Sequence, residues 1–279
     1  RGSAMHDVLE RFMREQVDAG PPAPDEPWSA AQRGRAQEIA AEVFGDYERR
    51  GRTGRRIEWV TQKSDLLALI DDFLTSDDQY RSAHGSTPAH FELAFGMGSN
   101  EALEIGLDDG RSLQFRGMID RVDQGPHGSK RIVDYKTGAG TQYKGLDGED
   151  DPTRQGTLLQ LGLYAEAVAS KLGASAVSSE YWMVNTSAGF ARHGYPWTPS
   201  HRQRLVEVLT AIANGIEAGV FAAIPGDWQS FRNSYENCAY CDFTAVCPQD
   251  RAEQADEKAD APELAVRVAL IPKSERADP

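Results

Sequence analysis

Three charged residues fall where the sequence reads as strand. Gly117-Met118-Ile119-Asp120-Arg121-Val122-Asp123 and Ile132-Val133-Asp134-Tyr135-Lys136-Thr137-Gly138 are apolar-rich runs of strand length, separated by a loop with Gly125, Pro126 and Gly128. That pattern predicts a hairpin, with turn residues where the chain reverses. Asp134 and Lys136 are two apart and so share one face of their strand. Two carboxylates, Asp120 and Asp134, meeting across such a hairpin make a hard, oxygen-rich site of the kind Mg²⁺ or Mn²⁺ takes. An ammonium on the same face can offset charge growing on a phosphate or orient an attacking water. A lone D-x-K usually marks a solvated strand face. Here the residues before it read as buried, where an unpaired Asp is costly.

The elements that must hold these residues follow from periodicity. Met5, Val8, Leu9, Phe12 and Met13 form a helical stripe with His6 at its border. A proline-rich bridge over residues 20–28 interrupts helix, and Ser29 caps a second helix to about Arg50. A third helix is expected from about Lys63 to Ala83. Strands are expected from Ala89, over Leu103 to Leu107 and over Ser112 to Val122, the last two joined by Asp108-Asp109-Gly110. The glycine-rich stretch after Lys136 reads as a mobile flap, since no G-x-x-x-x-G-K-[ST] motif exists to make it a nucleotide cradle. A helix over Thr157 to Lys171 sets Gln160 and Tyr164 one turn apart. There they can reach a phosphate, orient a water or, for the Tyr, stack on a base. A strand over Val177 to Val184 and an amphipathic helix over His201 to Ala218 follow, with regular structure ending at Pro225. Leu264 to Ile271 reads as a strand or docking segment in an otherwise acidic, mobile tail.

All three cysteines lie in Cys238-x-x-Cys241-x5-Cys247. A disulfide is disfavoured in a reducing compartment, and metal ligation needs a fourth ligand. His127 and His193 are remote in sequence.

Taken together, these motifs resemble the RecB-like branch of the PD-(D/E)xK nucleases, including its AddB-like members with C-terminal iron–sulfur cysteines. Gly117 to Asp120 match the family's G-x-x-D, Asp134-Tyr135-Lys136 its D-Y-K, Gln160 to Tyr164 its Q-x-x-x-Y, and Gly2 to His6 its G-x-x-x-H. The resemblance covers roughly residues 2 to 248. It implies a restriction-endonuclease-like α/β core: a mixed central β-sheet flanked by helices, a helical N-terminal part (1–88), a catalytic sheet with the Q-x-x-x-Y helix (89–185), and a Cys-bearing extension (186–248) ahead of a tail (249–279). It also implies metal ligands in His6, Asp120, Asp134 and the Tyr135 carbonyl, a catalytic Lys136, and a substrate-orienting pair in Gln160 and Tyr164. Cys238, Cys241 and Cys247 would join a fourth, upstream cysteine in a [4Fe–4S] cluster. The present chain lacks that cysteine, as though it were excised from a larger protein. Glu92 sits where such nucleases often carry a Glu, but is not counted as catalytic.

The implied function is a Mg²⁺- or Mn²⁺-dependent deoxyribonuclease acting as an exonuclease on DNA ends, alongside a helicase domain or subunit in repair and recombination. A CRISPR-associated RecB-like nuclease and a non-catalytic DNA-end-binding module share the same motifs. An iron–sulfur or zinc structural module remains a further alternative. The net charge of −13 over 279 residues excludes a broad electropositive surface, so nucleic acid must be met in a local groove. The cluster Arg49, Arg50, Arg52, Arg55 and Arg56 is the best local candidate for phosphate contact. Neither a membrane-spanning run nor a signal-peptide pattern is present, which makes the cytoplasm the expected location.

Overall fold

The computed structural model describes residues 2–148, 151–221, 223–239, 241–259 and 261–271. Three helices come first. In α1 (Gly2–Ala19) the expected stripe is buried from Met5 through Met13. Ser29 does cap α2 (Ala30–Arg49), in a reciprocal box with Gln32. The third helix, α3 (Arg56–His84), ends on Gly85 in the left-handed region. It begins about two turns earlier than the leucine pattern predicts. The reason is Trp59, which is buried edge-on to Phe44 at 5.7 Å and donates from its indole to Glu48 at 2.8 Å.

Strand β1 (Thr87–Phe95) opens the sheet, followed by a small hairpin of β2 (Leu103–Gly106) and β3 (Ser112–Phe115). The run expected as one strand from Ser112 is broken at Arg116. There the chain leaves β2 and continues as β4 (Gly117–Gln124), paired with β1. The crossing is tight: a Cβ on Gly96, whose φ is +63°, would lie 2.8 Å from the Phe115 carbonyl. Strand β5 (Lys130–Lys136) returns antiparallel to β4, as the hairpin pattern requires. Helix α4 (Gln160–Leu172) then crosses over to β6 (Val177–Met183), parallel to β5, and β7 (Arg192–Pro196) closes the edge. The five-stranded order is β1-β4-β5-β6-β7. The fold is therefore the mixed, helix-flanked sheet that was expected, except that β7 comes from residues after 185.

The two faces bury different partners. Val133, Tyr135 and Trp182 pack beneath α1–α3. Ile132, Val122 and Val177 pack beneath α4 and α5 (Pro199–Glu217). Period-two alternation along β5 divides the two cores at consecutive residues.

Regular structure does not stop at Pro225. A short hairpin of β8 (Trp228–Gln229) and β9 (Ser234–Tyr235) leads into the cysteine segment. Within the tail, α6 (Arg251–Glu257) and α7 (Ala265–Leu270) form. The segment read as strand or docking element is thus a helix that docks. Its Val266 packs so close to α5 that a Cβ on Gly215 would meet it at 3.1 Å. Among the described residues no helix is long and apolar enough to cross a membrane.

Candidate active site

The motif residues meet at one end of the sheet. The β4–β5 ladder runs to Arg121 opposite Val133, and continuing that register sets Asp120 across from Asp134, on the same face. Asp120 Oδ2 accepts the Tyr135 backbone N–H at 2.8 Å, which ties the first carboxylate to the second strand. From α1, His6 Nε2 lies 3.0 Å from the Tyr135 carbonyl, and its Nδ1 lies 3.5 Å from Asp120 Oδ2. One residue, Tyr135, thereby holds two expected ligands through its main chain while its ring is buried in the core beside Phe73.

Asp134 is 2% exposed and its Oδ2 has no hydrogen bond, though Lys136 Nζ stands 2.5 Å away outside hydrogen-bond alignment. Burial, reinforced by the nearby Asp120 carboxylate and opposed by Lys136, pushes Asp134 up to about 6. Lys136 in turn donates to Gln160 Oε1 at 3.1 Å, Gln160 Nε2 to the Tyr164 hydroxyl at 2.9 Å, and that hydroxyl to the Met118 carbonyl at 2.7 Å. This chain anchors the lysine to α4 and α4 to β4. Tyr164 is buried edge-on to Phe95, so the base-stacking expected of it is excluded and positioning is left.

The open side is a cleft of about 720 Å³ whose lining includes His6, Asp120, Tyr135, Lys136 and Thr137. Asp7, Glu10 and Glu92 line it too, and none of them was singled out as functional from sequence. The spacing of His6 and Glu10 on one helix face was a usable signal for Glu10. Glu92 lies in β1 with φ +46°, an uncommon conformation for a non-glycine residue, and burial, with Asp120 and Glu10 adding, pushes its carboxyl up to about 7. The glycine-rich loop after Lys136 is a wall and not a free flap. Leu146 is buried, Tyr143 stacks on Tyr181 at 4.1 Å, and Asn185 holds the Gly138 carbonyl at 2.7 Å.

The donors here are hard oxygens and an imidazole, with a buried carboxylate oxygen whose close neighbour is the Lys136 ammonium. That set fits Mg²⁺ or Mn²⁺. Among the described residues no three His, Cys, Asp or Glu side chains form a closed metal-holding group. Mg²⁺ does not require one, because it commonly takes one or two carboxylates and completes its shell with waters and substrate phosphate.

The C-terminal cysteines fit their expected group less well. Cys238, Cys241 and Cys247 are free thiols, Cys241 exposed and the others half-buried. The chain has 3 cysteines, fewer than an all-cysteine cluster needs. His127 lies in the β4–β5 turn and His193 on β7, and neither completes a metal group with them among the described residues.

Behind the site lies a network that sequence reading passed over. Arg121, Asp123, Asp77 and Arg81 are all 0% exposed. Arg121 binds Asp123 through Nε at 2.5 Å and Nη2 at 2.8 Å, and Asp77 through Nη1 at 2.5 Å. It also reaches the Tyr135 hydroxyl at 3.2 Å.

The sequence matches the model of the PD-(D/E)XK nuclease superfamily over residues 1–248. It is also similar to proteins named as the B subunit of an ATP-dependent helicase/deoxyribonuclease. With that of Oceanobacillus iheyensis it shares 35% identity over 136 residues, 47% of this chain and 10% of the relative. With that of Exiguobacterium sibiricum it shares 38% over 87 residues, 30% of this chain and 7% of the relative. With that of Lysinibacillus sphaericus it shares 31% over 90 residues, 30% and 8% respectively. The matched segments thus span a tenth or less of the relatives' length.

Proposed function

Because the chain belongs to the PD-(D/E)XK nuclease superfamily, we propose that it is a divalent-metal-dependent deoxyribonuclease that hydrolyses linear DNA from its ends. The observation that carries this reading is Asp120 at the cleft, with the β4–β5 register setting the buried Asp134 across from it and Lys136 against Asp134. The relatives' printed name supports a partnership with a helicase subunit or domain.

In this reading Asp120, Asp134, His6 and the Tyr135 carbonyl hold the metal. Bound Mg²⁺ or Mn²⁺ would supply Lewis-acid charge and make a bound water more acidic. Lys136 orients the attacking water or offsets the charge growing on the phosphate oxygens. Gln160 keeps the ammonium from swinging away, and Tyr164 keeps Gln160 in place. Asp120 in turn is fixed by the Tyr135 amide, so its second oxygen is presented at a defined angle. The three cysteines take no part in the chemistry of this reading. A cluster there needs a ligand beyond them, and no catalytic step depends on it.

The test compares wild type with Lys136→Ala on end-labelled linear DNA in Mn²⁺ and in EDTA. The variant should lose at least about 100-fold in cleavage rate, the scale for removing one transition-state interaction. Equal cleavage by both proteins overturns the site. DNA binding with no cleavage in Mg²⁺ or Mn²⁺ would instead establish a non-catalytic end-binding module.

A further inference from the structure

An acidic molecule that holds a polyanion must gather positive charge locally. Among the described residues the segment joining α2 to α3 does so, with Arg49, Arg50, Arg52, Arg55 and Arg56 all exposed. Asp46 pairs with Arg49 at 3.5 Å and with Arg50 at 2.8 Å, and Glu58 stands 3.6 Å from Arg55. Arg52 and Arg56 have no carboxylate partner among the described residues, which leaves the loop positive.

The loop is built and not slack. Gly51 and Gly54 both take positive φ, +65° and +68°, and the Arg52 amide returns to the Tyr47 carbonyl at 2.9 Å. On the far side, the Trp59 amide bonds the Arg55 carbonyl at 3.0 Å and its ring is sunk in the helical core. The loop also abuts the cleft. Tyr47 donates its hydroxyl to Asp7 at 2.9 Å, Asp7 lines the cleft, and the Arg52 guanidinium lies over the Tyr47 ring at 5.9 Å. One tyrosine side chain separates the cleft wall from the first unpaired arginine.

Beside Arg56, Ile57 and Val60 stand 81% and 63% exposed, one turn apart on the first turns of α3. Branched aliphatics held in water next to arginines match a ligand that offers phosphate and apolar base faces together. A single strand does this; a duplex keeps its base faces stacked inside.

We propose that the α2–α3 segment is a docking surface for single-stranded DNA. Arg52 and Arg56 hold phosphates of a strand that leads into the cleft, and Ile57 and Val60 cover its unstacked bases. The direction of travel rests on the nuclease reading; the binding itself does not.

The test measures fluorescence anisotropy of a labelled single-stranded oligothymidylate against the full chain, in Ca²⁺ and across a salt series. A Lys136→Ala background prevents cleavage. Arg52→Ala/Arg56→Ala should weaken binding about tenfold or more and reduce the log K against log salt slope by about 1.4, near 0.7 for each phosphate no longer neutralised on a single strand. Ile57→Ser/Val60→Ser should weaken binding with the slope unchanged. Because all four side chains are exposed, circular dichroism melts should match the parent's, which separates docking from folding. Wild-type affinity and slope in both variants overturn the proposal. Loop-dependent binding, together with no cleavage in Mn²⁺ by the protein that retains Lys136, defeats the nuclease reading but leaves this one standing. Cleavage with an unaltered KM by Arg52→Ala/Arg56→Ala with Lys136 intact does the reverse.

Discussion

Replacing Arg121 by Met removes the charge at the centre of the buried network, and the geometry says where the cost falls. Asp77 would keep two partners, Arg81 Nε at 3.1 Å and the Trp28 indole at 2.8 Å. Among the described residues Asp123 would keep as a hydrogen-bond partner only the Ser86 hydroxyl, at 3.5 Å, with the Arg131 charge acting from further off. Breaking one side of a buried ion pair costs about 3–5 kcal/mol, and here the loss concentrates on a single carboxylate. That carboxylate can escape by taking up a proton. Burial already raises its pKa above the usual range, with Arg121 holding it down. Without Arg121 the folded protein keeps the proton to still higher pH. Above the ordinary carboxylate range the native state then binds more protons than the unfolded state, so stability falls as pH rises. The decline amounts to about 1.4 kcal/mol per pH unit until the folded pKa is passed. Urea unfolding followed by tryptophan fluorescence reads this directly, since Trp28, Trp59 and Trp182 are all buried. Arg121→Met should therefore be clearly less destabilised at about pH 5 than at about pH 7. Adding Asp123→Leu should restore stability, because apolar replacement of both partners is often neutral or better. An equal loss at both pH values, or a double variant weaker than the single one, would refute this account.

Gly117→Ala should destabilise by about 1–3 kcal/mol in a thermal melt, the usual range for overpacking, since its Cβ would lie 2.6 Å from the Phe95 ring. Tyr164→Phe removes the hydroxyl that joins Gln160 to the Met118 carbonyl. It should cost about 1–3 kcal/mol and, by loosening Lys136, lower kcat more than it changes KM in steady-state cleavage. Metal affinity should weaken as pH falls through about 6, where Asp134 takes up its proton, because ligating carboxylates must be deprotonated. Mn²⁺ calorimetry at several pH values should show proton release on binding, and a pH-independent affinity would count against Asp134 as a ligand.

The hairpin and the grouping of its charged residues were legible because they rest on local rules. Turn residues, period-two alternation and the D-x-K spacing together fix which residues share a face of β5. Less legible were features that depend on what packs from elsewhere. Arg121 and Asp123 look like solvated charges in the sequence, and only Asp77 and Arg81 arriving from α3 make them interior. The break at Arg116 depends on β1 and β2 claiming different halves of one apolar run. Trp59 extends α3 because Phe44 is there to receive it, a packing that periodicity within one helix cannot reveal. Glu92 sits where the resembled family often carries a Glu, but its place in the cleft follows from β1 lying beside β4.

His6 touches the Tyr135 carbonyl across 129 residues of chain. Its helix is joined to the rest through the proline-rich bridge, and the remaining donors all come from the sheet. On the proposed reading, a partly folded chain with a formed sheet but an undocked first helix lacks one ligand and is catalytically silent. DNA hydrolysis is then withheld until the N-terminal helix has docked.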